Sequence, residues 1–415
     1  MRRRTFLHQM SAAAVVPWLA GASRDLADLR RSLASTPDEA DFWKEVRSQF
    51  LLRPGLVHMN SATIGATPRP VVSAFTDFLW EVESNPQEEV FGAAGEQRME
   101  DVRARGAAFL AADLDEVALT RNTTEGMNHV AQGLVLQPGD EILSTDHEHP
   151  GGSVCWEWLA ERTGAEIVRI PMPATAPSAD QVVDLVKQHL TPRTRVCSFS
   201  HVSTMTGLVM PMAAIAEVTR PRDVLLACDG AQAPGMLSVD VHALGVDTYA
   251  SSSHKWMLAP KGSGLLYIRK EAQERVRPLT LRSGFHVYSA SGGTRSVAGI
   301  LAHGVAMDFH DTIGRDKVEA RCRALRRTLR EALADVEGVK ILTPEEEDLC
   351  GGILTISLLR GDAGKVRATL ANDYDVVLKR GSAQYNAIRI STHIFNDESD
   401  IERAASALSE VMRKT

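Results

Sequence analysis

The sequence predicts an α/β protein: a mainly parallel sheet covered by helices, followed by a smaller C-terminal α+β unit. Two observations lead there. From Val57 onward, short runs rich in Val, Ile and Leu alternate with segments of helical apolar period, as expected for strands buried on both faces. After Val297 the order changes to a long helical stretch, then closely spaced strands and a last helix. A chain of 415 residues has room for both units, each with its own core.

Taken in order, residues 1–22 read as an export signal. Arg2 to Arg4 stand before Thr5, Phe6 and Leu7 in the manner of a twin-arginine signal, and a brief apolar run ends in Ala20-Gly21-Ala22. That run falls short of the ~20 apolar residues a membrane-spanning helix needs. The expectation is a periplasmic or otherwise exported protein, with cytoplasmic residence as the alternative. Cleavage would remove three arginines and no acids. Residues 23–56 then form a helical segment that packs on the small unit, with helical apolar spacing in Asp41 to Phe50.

The large unit spans 57–310. In it, 115–120 reads as a strand and 123–134 as a helix opened by threonine. Strands follow at 140–145 and 165–172, a helix at 178–190, and strands at 194–202, 223–230, 246–252 and 264–270. The stretch from Val297 to Val336 is helical, and a boundary inside it gives a small unit of 311–415. This unit holds the runs 351–359, 365–372, 376–380 and 386–392 and a helix over 397–412.

Composition narrows the partners. Hydrophobic residues make up 44% and charged residues 24%, ordinary for a soluble globular chain. A net charge of −7 without a basic block argues against nucleic acid. Beyond the signal, no segment is long enough to span a membrane. The five cysteines (Cys155, Cys197, Cys228, Cys322, Cys350) are scattered and lack zinc-site spacing, so neither a disulfide framework nor a metal site is expected.

Ligands of open parallel sheets sit beyond the carboxyl ends of the strands. Five predicted strand ends here carry polar groups: Thr123 and Thr124, His149, Ser203 and Thr204, Asp229, and finally Ser252, His254 and Lys255. A lysine alone would be an ordinary solvated charge. Together with the others it is not. A helix N-terminus with two threonines suits a phosphate, a buried strand-end aspartate suits a protonated ring nitrogen, and a lysine suits an aldehyde. Phosphate, pyridinium and aldehyde make up pyridoxal phosphate. Trp256, beside the lysine, reads as core packing.

D-G-A-Q at 229–232, S-S-H-K at 252–255 and T-T-E-G at 123–126 resemble the class V aminotransferase family, fold-type I pyridoxal-phosphate enzymes. The stretches 57–71, 292–302 and 388–396 extend the likeness over nearly all the chain from Val57; the first two motifs are the specific ones. The resemblance implies a seven-stranded large-domain sheet, a homodimer and an amino-acid substrate. It also implies roles. Lys255 would bond the cofactor aldehyde as a Schiff base and move protons at the substrate Cα. Asp229 would pair with the ring nitrogen and Gln232 with the ring hydroxyl. Thr123, Thr124, Ser252 and His254 would hold the phosphate, Thr204 would line the cofactor, and Thr294 would reach across from a second subunit. His149 would stack on the ring, with His147 as the alternative. Arg389 would clamp the substrate carboxylate, helped by Arg380.

Within that family, desulfurases carry a nucleophilic cysteine shortly before the arginine strand. The run from Arg380 to Arg389, RGSAQYNAIR, has none, and Cys350 reads as a structural thiol. TDHEHPG (145–151), SHVSTMTG (200–207) and IRISTHIFN (388–396) resemble the isopenicillin N epimerase-like branch. The expected activity is therefore that of an epimerase or aminotransferase acting on an amino acid. A β-eliminating C–S lyase without a persulfide cysteine is the alternative, and a non-catalytic amino-acid-binding protein is a third reading.

Overall fold

The computed structural model describes residues 24–175, 177–281, 284–286 and 293–415. The signal expected at 1–22 lies outside them.

The apolar runs become seven strands of one sheet: β2 (Val117–Thr120), β3 (Glu141–Thr145), β4 (Glu166–Ile170), β5 (Thr194–Ser200), β6 (Leu225–Asp229), β7 (Thr248–Ser252) and β8 (Gly264–Ile268). Their order is β2-β8-β7-β6-β5-β3-β4, and only β8 runs against the rest. Alternation sorts the side chains to two layers. Ile142, Val196, Leu225 and Leu266 meet the helices Thr123–Gly133 and Pro150–Thr163 on one face. Their neighbours Leu143, Cys197, Leu226 and Leu265 enter the larger core on the other. Strands buried on both faces are why these segments read as near-continuous apolar runs. β4, at the edge, is only partly covered. Gly126 lets the helix Thr123–Gly133 lie close to β7, since a Cβ there would stand 2.7 Å from that of Ala250.

The helical stretch after Val297 divides into two helices, Val297–Ile313 and Arg315–Ala334, at Gly314, whose φ of 99° suits glycine. Beyond it, β9 (Val339–Ile341), β10 (Ile353–Leu358), β12 (Lys379–Arg380) and β13 (Ala387–Ser391) form an antiparallel sheet in the order β12-β13-β10-β9. Leu354, Ile356, Ile388 and Ile390 pack on one face with Leu325 and Leu329 of the helix Arg315–Ala334 and with Ile401 and Leu408 of the last helix, Glu398–Arg413. The run 365–372 lies in the helix Ala363–Asp373.

The incoming chain touches both units. Leu29, Trp43 and Val46, from the helices 24–35 and Glu39–Ser48, join the large core. Arg47 pairs with Asp400 at 2.7 Å and Asp397 at 3.0 Å, where the last helix, Glu398–Arg413, begins. β1 (Val57–His58) then pairs in parallel with β11 (Val376–Val377), and Val57 and Met59 are buried in the small unit's core. No helix among the described residues is long and apolar enough to cross a membrane.

Candidate active site

Lys255 lies three residues past β7, in a turn held by its own N–H donating to the Ser252 carbonyl at 3.3 Å. Loss of water pulls its amine down to about 8; the Asp229 carboxylate opposes this, and the Arg389 charge adds to it. The loop leading from β1 closes over this turn. Gly65 N–H donates to the His254 carbonyl at 3.0 Å, and a Cβ on Gly65 would sit 1.9 Å from the Lys255 carbonyl oxygen. Only glycine fits there. The other nearby lysine, Lys261, is tied to the Gly65 carbonyl at 3.0 Å and Thr67 Oγ1 at 2.8 Å.

Asp229 ends β6 and is buried. Burial pushes its pKa up, against the Lys255 charge and the Ala231 N–H, which donates to Oδ1 at 2.9 Å. Gly152, at the start of the helix Pro150–Thr163, makes room for this carboxyl: a Cβ there would lie 2.2 Å from Oδ2.

The proposed phosphate donors converge where the helix Thr123–Gly133 begins. Asn122 caps that helix, accepting from Glu125 N–H at 2.9 Å. Thr123 N–H donates to Ser252 Oγ at 2.9 Å, and the two hydroxyls are 2.9 Å apart. Thr124 is exposed, and its Oγ1 would touch a Cβ on Gly151 at 2.8 Å, which puts it beside the His149 loop. His254 Nδ1 is buried, and the Ser263 backbone lies against the ring. Thr204 is half-buried in the turn after β5, where Ser203 Oγ accepts from the Met205 and Thr206 N–H groups.

The two histidines of TDHEHPG part company. His147 is buried, with Nε2 3.1 Å from the Tyr385 hydroxyl. His149 caps the helix Pro150–Thr163, its Nδ1 accepting from Gly151 N–H at 3.0 Å. The ring is exposed at its edge, yet partial loss of water lowers its pKa, the Lys255 and Arg389 charges lower it further, and Asp229 opposes. His149 is thus the imidazole among the charged groups of the cleft. Between them stands Glu148, which sequence reasoning missed. It accepts from Thr145 Oγ1 at 2.7 Å and from Ser200 N–H and Oγ at 2.9 and 2.6 Å, and desolvation pushes it up to about 7.

Beneath the cleft, Gln232 Oε1 accepts from Trp256 Nε1 at 2.7 Å and Gln232 Nε2 donates to the Ala62 carbonyl at 3.0 Å. One N–H of that amide remains for a ligand. His393 Nδ1 accepts from Ile394 N–H at 2.7 Å, so Nε2 carries the proton and donates to the Trp256 carbonyl at 2.7 Å. Trp256 is indeed packed in the core.

Arg389 reaches in from β13. It is buried; Nη2 donates to Thr63 Oγ1 at 2.7 Å and Asn60 Oδ1 at 3.5 Å, and Nε has no partner among the described residues. Burial lowers its pKa to about 10, and no carboxylate pairs with it among the described residues. Arg380 does not join it. On β12, Arg380 lies opposite Ile388, whose side chain enters the small core, while Lys379 lies opposite Arg389. Strand alternation therefore gives Arg389's face to Lys379, and the Arg380 stem comes within 3.7 Å of a Cβ built on Gly364, at the helix Ala363–Asp373. Thr294 is exposed on the single chain.

These residues fit pyridoxal phosphate: a desolvated amine, a buried carboxyl, the paired Thr123 and Ser252 hydroxyls at a helix N-terminus, and a buried cation without a carboxylate partner among the described residues. Likeness to known proteins agrees. The family model for aminotransferase class-V matches residues 57–404, and the chain belongs to that family. It is 32% identical to the isopenicillin N epimerase of Amycolatopsis lactamdurans over 401 residues, covering 90% of this chain and 100% of the relative. With the isopenicillin N epimerase of Streptomyces clavuligerus the identity is 30% over 388 residues, 88% of this chain and 97% of the relative. Among solved structures, the complex of the cystine C–S lyase C-DES with its product cysteine persulfide superposes with a TM-score of 0.76 at 25% identity, covering 86% of this chain and 98% of that one. The fold is that of the pyridoxal-phosphate fold-type I enzymes.

Proposed function

We propose that the protein takes and returns the Cα proton of an amino acid with pyridoxal phosphate as cofactor, as an epimerase or aminotransferase. One observation carries the reading: a buried arginine without a carboxylate partner among the described residues shares its cleft with a desolvated lysine and a buried aspartate. When bound, the cofactor supplies an electron-withdrawing ring that acidifies the Cα–H. Asp229 would hold the proton of the ring nitrogen, Gln232 the ring hydroxyl, and Thr123, Thr124, Ser252 and His254 the phosphate. Lys255, neutral above about 8, is the base at Cα. His149 would cover the ring, and Arg389 would grip the α-carboxylate as a fork.

Two relatives named epimerases favour inversion at Cα. The C–S lyase likeness supports β-elimination as a second reading. A persulfide relay has less support: the loop 381–386 lacks cysteine, and all five thiols are buried. Export rests on the Arg2–Ala22 sequence, and a homodimer completed by Thr294 rests on the family likeness.

Loaded protein incubated in D2O with L- and D-amino acids, without keto acid, separates the readings. Deuterium at Cα with inversion marks an epimerase, and stoichiometric keto acid marks an aminotransferase. Sulfide with keto acid from a cysteine-derived substrate marks the lyase. Loaded protein that does none of these contradicts all three.

A further inference from the structure

The small sheet has a face that its own apolar core does not use. Antiparallel register sets Thr355, Arg389 and Lys379 directly opposite one another on β10, β13 and β12. Their side chains therefore stand in a row, about 5 Å from strand to strand. The row carries donor groups still open to a ligand. Thr355 Oγ1 and Arg389 Nε are buried and unpartnered among the described residues. Lys379 is exposed, and no carboxylate pairs with it among the described residues. Its charge also reaches His149, which ties it to the same cleft as Arg389.

Arg389 carries its charge in a poorly solvated setting, and an anion laid against it offsets that cost. Arg389, buried and fixed by Thr63 and Asn60, is the deeper anchor. Lys379 is the outer one, on a flexible stem suited to a point charge. We propose that the substrate is an amino acid with two anionic groups, its α-carboxylate on Arg389 and a second carboxylate, on the side chain, at Lys379. The proposal rests on the reading of Arg389 given above.

Dicarboxylates of three to six carbons test it without chemistry, since they lack the amine. Their binding to the cofactor-loaded protein is compared by calorimetry at low salt with that of monocarboxylates of equal length. The best dicarboxylate should bind at least tenfold more tightly than its monocarboxylate. Lys379→Met should erase that preference and leave the monocarboxylate unchanged, and Lys379→Arg should preserve it. Equal affinities in the wild type, or equal weakening of both classes by Lys379→Met, would overturn the proposal. If monocarboxylate binding does not depend on Arg389 (Arg389→Gln unchanged), the reading of the arginine fails and the proposal falls with it. Binding through Arg389 without dicarboxylate preference sinks the proposal alone.

Discussion

Lys255 sets the pH at which the protein accepts its cofactor. An amine lowered to about 8 is protonated and unreactive below that value and free above it, so loading with pyridoxal phosphate should speed up with pH and level off past about 8. The Asp229 carboxylate raises this lysine and the Arg389 charge lowers it. Asp229→Asn should therefore move the midpoint down and Arg389→Gln should move it up, as read by stopped-flow absorbance. Shifts in the opposite senses would mean that the two charges do not act on Lys255. Much of this site was legible, because Lys255, Asp229 and the threonines all follow strongly apolar strands. Glu148 was not. Its three donors come from Thr145 and from Ser200 on a neighbouring strand, and nothing local marks a glutamate between two histidines as desolvated.

At the scale of elements, the turn after β13 grips the lysine turn through His393, and Trp256 passes that grip to Gln232 and Ala62. His393→Ala removes its hydrogen bond to the buried Trp256 carbonyl, a loss of about 0.5–1.5 kcal/mol. It should also weaken cofactor binding, because the Trp256 residue that anchors Gln232 is held less firmly, while His393→Gln restores part of both. Urea melts with and without cofactor read the two effects. Equal losses in the two melts would reduce His393 to a structural role. Strand and helix types were mostly readable from period and composition, and the facing of β12 was not. A two-residue strand has no alternation of its own, so the choice between Lys379 and Arg380 appears only with the register against β13. The partners of Arg389, Asn60 and Thr63, likewise come from more than 300 residues away.

Across the whole molecule, four of the buried histidines couple folding to pH most strongly. Burial holds His201 and His310 at about 4 and His303 and His393 at about 3. Each stays neutral in the fold, while the unfolded chain takes a proton below about 6.5. Their contribution is complete above that value and is lost as pH falls towards 4, by about 1.4 kcal/mol per pH unit for each histidine. Denaturant melts between pH 7 and 5 should show this slope, and His303→Met should reduce it by close to one proton; an unchanged slope would contradict the buried neutral state. The same interior joins the two units, through β1 paired with β11 and Arg47 with Asp400, and so brings Arg389 to the cleft of Lys255. That convergence makes Lys255 the expected point of cofactor attachment, and reductive trapping reads it out. Pyridoxal phosphate is added to the purified protein, the bond is reduced with borohydride, and the labelled peptide is identified by mass spectrometry. A visible absorption band and a single label on Lys255 are expected, both absent in Lys255→Ala. A label on Lys261 or another lysine, or a band that survives in Lys255→Ala, would contradict that point of attachment.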